Sequence, residues 1–513
     1  MLIGADQALP LFKIGVNSME WTKEQRYRKI DDVTEKEIQA LAQLVNQCPW
    51  RQSFHIQPVT GLLNDPNGFA YYNGEYHLFY QWFPLGPVHG LKHWYHTKSN
   101  DLVHWENVGM AIEPSNDYDS HGAYSGSALE HEGKLYLLYT GNTRDENWNR
   151  HPYQCLAVMN ENGAITKSDN PVIGDVPKGY TDHFRDPKVW QQGEMFYTVI
   201  GAQRENETGC VVLYQSPNLQ DWQFVGEVKT DLEYFGYMWE CPDYFEMDEQ
   251  GVLIFSPQGL EAEGDAYQNI YQSGYVIGQQ LDLEKNELTH GRFQELDQGF
   301  DFYAPQTTLD ANGRRILVGW MGLPEIDYPT DKNGWAHCLT LPRELSIKDG
   351  KLIQQPIDEL TLLRGKSMEA KKIMNHETIT LDGFEGEAYE LIVEFSANTA
   401  AEFGLELRVG ENEKTIIKYD AAEKKVVFDR TYSGQPFAEN FGTVRKCKLD
   451  AEIISFRIFV DSSSVEVFVN DGEEVFTGRI FPNKNSQGIR LFAHGGQTSV
   501  KAVKWEISSD NEK

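Results

Sequence analysis

Five times along the chain a glycine near a turn opens a run of apolar and aromatic residues that closes on a small or polar one. The runs begin at Gly74, Gly133, Gly193, Gly251 and Gly313, at successive gaps of 59, 60, 58 and 62 residues. A fixed period marks repeated supersecondary units that bury their apolar faces only by stacking on neighbours. Each unit is strand-rich, carries Gly, Asn and Asp at its turns, and has room for about four short strands, which suits a propeller blade. Five such units predict a five-bladed β-propeller over residues 51–355.

Outside the repeat the pattern changes twice. From Thr22 to Asn46, Ile30, Val33, Ile38, Leu41, Leu44 and Val45 recur at roughly helical spacing among charges, predicting one helix in an N-terminal extension, residues 1–50. After a linker at 356–365, strand-like alternation resumes over 366–513. Its clearest piece sets Val465, Val467 and Val469 against Glu466 and Phe468 ahead of Asn470-Asp471-Gly472, a strong hairpin signal. The expected fold is therefore all-β: a propeller, then a β-sandwich with a structural or homo-oligomerising role, and a short N-terminal helix.

Ahead of each repeat glycine lies a block built on proline or glycine with carboxylates or small polar groups. These blocks are Asn64-Asp65-Pro66-Asn67-Gly68, Tyr124-Ser125-Gly126-Ser127, Arg185-Asp186-Pro187, Glu240-Cys241-Pro242-Asp243 and Tyr303-Ala304-Pro305-Gln306. In a propeller the same strand of every blade lies nearest the axis, so these blocks converge on one funnel and Asp65, Asp186 and Glu240 become a candidate site. Read alone, Asn64 to Gly68 is only a turn; its repetition argues for more. Two carboxyls suffice to cleave a glycosidic bond, one attacking the anomeric carbon and the other protonating the departing oxygen. A third could orient sugar hydroxyls.

With 46 Lys+Arg against 77 Asp+Glu, the net charge of −31 repels nucleic acid and anionic lipid, and neither is an expected partner. Six scattered cysteines without a CxxC pair predict buried free thiols. No secretory signal or membrane-length apolar run is read from the sequence, so a cytoplasmic setting is expected.

The ordered blocks, extended to Phe184 and to Asp301-Phe302, together with Phe459-Val460-Asp461-Ser462-Ser463-Ser464-Val465-Glu466, resemble the motif set of glycoside hydrolase family 32. That family comprises invertases, sucrose-6-phosphate hydrolases, inulinases and levanases. The resemblance implies Asp65 as nucleophile, Glu240 as general acid/base and Asp186 as transition-state stabiliser. It further implies sugar contacts from Leu63, Asn64, Gln81, Tyr124, Ser125, Arg185 and Tyr303, with Trp94 as an aromatic wall. Retention of configuration through a covalent fructosyl intermediate follows, with carboxyls about 5–5.5 Å apart and no metal or cofactor.

Where secreted invertases carry Trp-Gly-x-x-His-Trp, this chain reads His89-Gly90-Leu91-Lys92-His93-Trp94. With Arg144, Arg150, His151 and His183 nearby in the repeat scheme, His89 and Lys92 suggest an anionic group on the substrate, and a phosphate would satisfy them. The plainer reading of these residues is as loop charges paired with acidic neighbours. The expected reaction is hydrolysis of sucrose 6-phosphate, with sucrose as a slower substrate. A fructan exohydrolase and a non-catalytic sugar-binding propeller remain the alternatives.

Overall fold

The structure, a computed structural model, describes residues 20–507. Each repeat forms one antiparallel sheet. Blade I comprises Gly61–Tyr72, Glu75–Phe83, His93–Ser99 and Glu106–Ile112; blade II starts at Ala123–His131, blade III at Tyr180–Gln192, blade IV at Met238–Met247 and blade V at Tyr303–Leu309. The first strands of successive blades touch one another in a closed ring, blade V meeting blade I. A short strand that follows blade V's second strand, Trp335–Ala336, also pairs in parallel with Gly61–Leu62 and ties the ends of the ring together. The repeat glycines mark the hairpin between the first and second strands, where Gly74, Gly133, Gly193 and Gly313 take φ of +63° to +84°. Blade IV differs. Its turn is made by Asp248 and Glu249, both at positive φ, and Gly251 lies inside the second strand, where its ideal Cβ would sit 2.5 Å from the Gln279 carbonyl oxygen.

The polar blocks share one backbone device. Pairing between the first two strands breaks register between Leu63 and Pro66, Ala123 and Gly126, Glu240 and Asp243, and Tyr303 and Gln306, and in blade III across Arg185 to Lys188. In four blades the break contains or abuts a proline, which has no N–H for a ladder and is at home in a bulge. A bulge bends its strand and re-aims side chains. Asp186, Cys241 and Ala304, each preceding a proline, sit at φ of +68°, +48° and +48°. The repeated block is thus a repeated bulge, and it turns side chains toward the ring's axis.

The single helix expected over Thr22–Asn46 is two. Thr22 caps Lys23–Arg26 and Thr34 caps Glu35–Asn46, each through a capping box with Gln25 or Glu37 three residues on. The second box starts a new helix after the turn at Ile30–Asp32. Leu41 and Val45 of the longer helix pack on Trp335, so this element covers the ring closure.

Ten strands between Arg364 and Ile507 form one nearly continuous ladder wrapped as a sandwich. Its core is built from alternating inward residues such as Phe395, Phe403, Phe456, Val467 and Leu491. The Asn470-Asp471-Gly472 hairpin joins Ser464–Val469 to Glu474–Arg479 as expected. Where sandwich meets propeller, the fully buried His55 ring lies 2.7 Å from Asp461 Oδ2 and 3.0 Å from Glu466 Oε1, and Glu466 also accepts from Arg343 at 2.8 Å. Among the described residues no helix is long and apolar enough to cross a membrane.

Candidate active site

The five bulges bring the blocks into one cluster. Asp65 Oδ1 accepts from Asn64 Nδ2 at 3.1 Å, and its Oδ2 accepts from the Ser125 hydroxyl. Asn64 Nδ2 also donates to Gln81 Oε1 at 2.8 Å, and Gln81 Nε2 reaches Ser125 Oγ at 2.5 Å. Across the funnel, Arg185 clasps Glu240 Oε1 through Nε at 2.9 Å and Nη2 at 2.6 Å. Glu240 Oε2 accepts from Gln258 at 2.9 Å and from the Tyr303 hydroxyl at 2.6 Å. Between the two lies Asp186, whose Oδ2 accepts the Cys241 N–H at 3.0 Å and whose own N–H donates to Thr140 at 3.0 Å. The Cys241 thiol lies 3.6 Å from both Asp65 and Asp186.

Burial sets the electrostatics. It pushes Asp65 above the ordinary carboxylate range, opposed by the Ser125 hydrogen bond and reinforced by the charge of Glu240. It carries Asp186 to about 7 although Arg185 pulls the other way. Burial would raise Glu240 as well, but Arg185 and Tyr303 outweigh it and hold that carboxyl below its usual value. This ordering is the reverse of an acid at Glu240 and an anion at Asp65. The Arg185 guanidinium and the Tyr303 hydroxyl favour the anion at Glu240, while burial favours the neutral form at Asp65 and Asp186.

Not every expected contact faces the funnel. Leu63 and Trp94 are 0% exposed. Leu63 packs in the core of blades I and V, and the Trp94 ring packs between Phe79 and Tyr139. Neither offers a face to a sugar, which corrects the aromatic-wall expectation; Trp94 instead donates to the Tyr124 carbonyl at 2.9 Å and steadies the bulge that carries Ser125. The Tyr124 side chain is half-buried.

The basic candidates divide into two groups. Lys92, 3% exposed, donates to Asn64 Oδ1 on the Asp65 side. His89 lies on that side too, edge-on to Trp320, and burial pushes its ring well below its ordinary pKa. His183 and Arg150 lie on the Glu240 side. His183 Nδ1 is 3.1 Å from Arg185 Nη1, burial and that guanidinium bring it to about 4, and Arg150 acts on both Glu240 and His183. Three members of the cluster are not among the residues that the sequence singles out as a site: Cys241, expected only as a buried free thiol and here half-buried, Thr140 and Gln258. Gln258 pairs with Met238 across the hairpin, and only strand register brings it to Glu240.

The pattern that defines the glycosyl hydrolases family 32 N-terminal domain matches residues 55–356, and that of the C-terminal domain matches 359–508. The chain belongs to glycoside hydrolase family 32. Among its family relatives, a sucrose-6-phosphate hydrolase of Staphylococcus xylosus is 50% identical over 491 residues, 96% of this chain and 99% of that protein. One of Bacillus subtilis is 43% identical, covering 92% and 96%. Among solved structures, a sucrose-6-phosphate hydrolase from Lactobacillus gasseri superposes with a TM-score of 0.89 at 40% identity, over 96% of this chain and 100% of that one. A family 32 β-fructofuranosidase of Bombyx mori gives 0.79 at 32% identity, over 93% and 99%.

Proposed function

We propose that this family 32 enzyme hydrolyses sucrose 6-phosphate to glucose 6-phosphate and fructose with retention at the fructosyl carbon. The observation that carries the chemistry is the cluster itself, in which one carboxylate has both oxygens held by neutral donors while a second is clasped across the funnel. Asp65 attacks the anomeric carbon as the bond to the glucosyl oxygen breaks, and Glu240 gives its proton to that oxygen. Glu240 then takes a proton from water, the water attacks the same carbon, and fructose leaves Asp65. Asp186 grips fructosyl hydroxyls. Hydrogen bonds from those hydroxyls favour its ionised form, and the proton it gives up passes to Glu240, which reverses the ordering described above.

The phosphate of this substrate rides on the glucosyl half, which departs from the Glu240 side. Arg150 and His183 stand there, and Arg150 Nη1 and Arg144 Nε are buried without a hydrogen-bond partner, which supports an anion in their company. The curated relatives described above carry the same specificity in their names. A phosphorylated disaccharide does not cross a membrane unaided, so we place the enzyme in the cytoplasm. The six cysteines, all free, suit a reducing compartment.

The test compares kcat/KM for sucrose 6-phosphate and sucrose. The phosphorylated sugar is expected to be preferred, and Arg150→Ala should lower that preference by roughly 10- to 100-fold, the worth of a charge-assisted hydrogen bond, chiefly through KM. Equal values in the parent enzyme would remove the phosphate from the proposal and leave a β-fructofuranosidase.

A further inference from the structure

The pattern of donors around Asp65 has a single origin. An ammonium can only donate, so the contact of Lys92 Nζ with Asn64 fixes the atom it meets as the amide oxygen, Oδ1. The Asn64 NH2 must then point the other way, to Asp65 Oδ1 at 3.1 Å and Gln81 Oε1 at 2.8 Å. With its oxygen occupied as acceptor, Gln81 turns its own NH2 to Ser125 Oγ at 2.5 Å. Ser125, already accepting, directs its hydroxyl hydrogen to Asp65 Oδ2. Two amides that could each lie either way round are thus set by one cation, and both oxygens of Asp65 receive a proton donor.

We infer that Lys92 is a positioning residue for the nucleophile, fixing through Asn64, Gln81 and Ser125 the direction of the hydrogen bonds that end on Asp65. The inference rests on the reading of Asp65 as nucleophile. It assigns Lys92 a role different from a phosphate contact: its ammonium is buried on the fructosyl side and already has a partner. Burial pushes the Lys92 pKa down to about 7 while the charge of Asp65 pulls it up, and as an ammonium Lys92 lowers the pKa of Asp65 and so favours the anion that must attack. An amide turned round would set an oxygen against the carboxylate, costing the donor and adding repulsion.

Lys92→Met is expected to lower kcat by roughly 10- to 100-fold on sucrose 6-phosphate and on sucrose alike, with KM changed little, because the loss falls on the attacking group. Lys92→Gln, whose amide can still donate to Asn64, should recover part of the loss. In a double-mutant cycle with Asn64→Ala, the pair should lose no more than the worse single variant. A loss confined to the phosphorylated substrate, an unchanged kcat, a Gln variant no better than Met, or losses that multiply in the cycle would each overturn the inference. Where Lys92→Met does not fold, Lys92→Leu takes its place in the cycle. Asp65→Asn is measured alongside. Activity remaining there sinks the nucleophile reading itself, whereas an inactive Asp65→Asn beside any of those four outcomes sinks only the role of Lys92.

Discussion

Asp65→Asn is expected to abolish turnover of every fructoside, by roughly 10⁴-fold or more, whereas Glu240→Gln should lose comparably on sucrose but far less on a fructoside with a good leaving group. The asymmetry follows from the roles proposed for the two groups. An amide at residue 65 keeps the place of the carboxylate between Asn64 and Ser125 but cannot form the fructosyl ester, whatever the leaving group. An amide at residue 240 still fits among Gln258, Tyr303 and Arg185 but has no proton to give. A leaving group that departs as a stable anion does not need one. Its return step also lacks a base, so azide, a nucleophile that needs no deprotonation, should raise turnover of Glu240→Gln and leave Asp65→Asn inert. Steady-state rates on sucrose and on an activated fructoside decide the matter. Equal losses for the two variants on both substrates would dissolve the division of labour.

The same two residues show what the sequence could and could not convey. The ring is legible because the repeat period holds within a few residues over five blades, and a ring of equivalent units brings Asp65, Asp186 and Glu240 together. The X-Pro blocks held a backbone signal that the expectations above do not use: a residue without an N–H interrupts a ladder, and pairing breaks at or beside each of those prolines. Depth was harder to read. Trp94 lies two residues beyond Lys92 in the same run and is expected to face the sugar, yet it fills the core between the first two blades. Which face of a twisted strand looks into the funnel depends on the bulge beside it, and a bulge shifts the alternation by one. Lys92 shows the same limit in another form. Its charge is visible, but its partner Asn64 comes from the blade's first strand, which does not pair with the strand that follows Lys92, so a phosphate looks as good a partner as an amide. The helix split at Thr34 could have been read, because Thr34-Glu35-Lys36-Glu37 spells a capping box.

The sandwich motif from Phe459 to Glu466 was conspicuous in sequence and silent about chemistry, and the structure gives it a mechanical role that predicts a second large effect. Asp461 accepts the backbone N–H groups of Ser53 and Phe54 at 2.7 and 3.1 Å, and Glu466 accepts that of Leu341 at 2.9 Å, so both hold propeller segments against the sandwich. Between them sits His55. Burial alone would push its pKa down, but the hydrogen bonds to Asp461 and Glu466 outweigh burial and hold it at about 9. The ring is therefore an imidazolium at neutral pH, sandwiched by two carboxylates whose own pKa values lie below the ordinary range. A folded pKa raised from 6.5 to about 9 contributes stability that is fully present below 6.5 and is lost as pH rises through 9, on the order of 3 kcal/mol. The carboxylates work in the opposite sense, contributing above their ordinary values and failing as pH drops through their lowered ones. His55→Leu should cost about 3–5 kcal/mol at pH 6.5, because it leaves two buried anions with one cation, Arg343, still bonded to Glu466. Urea unfolding from pH 6 to 10 should show the parent losing more stability than the variant as pH rises. Parallel pH profiles for the two proteins would mean that His55 is neutral in the fold and that the carboxylates, not the imidazolium, hold the two halves together.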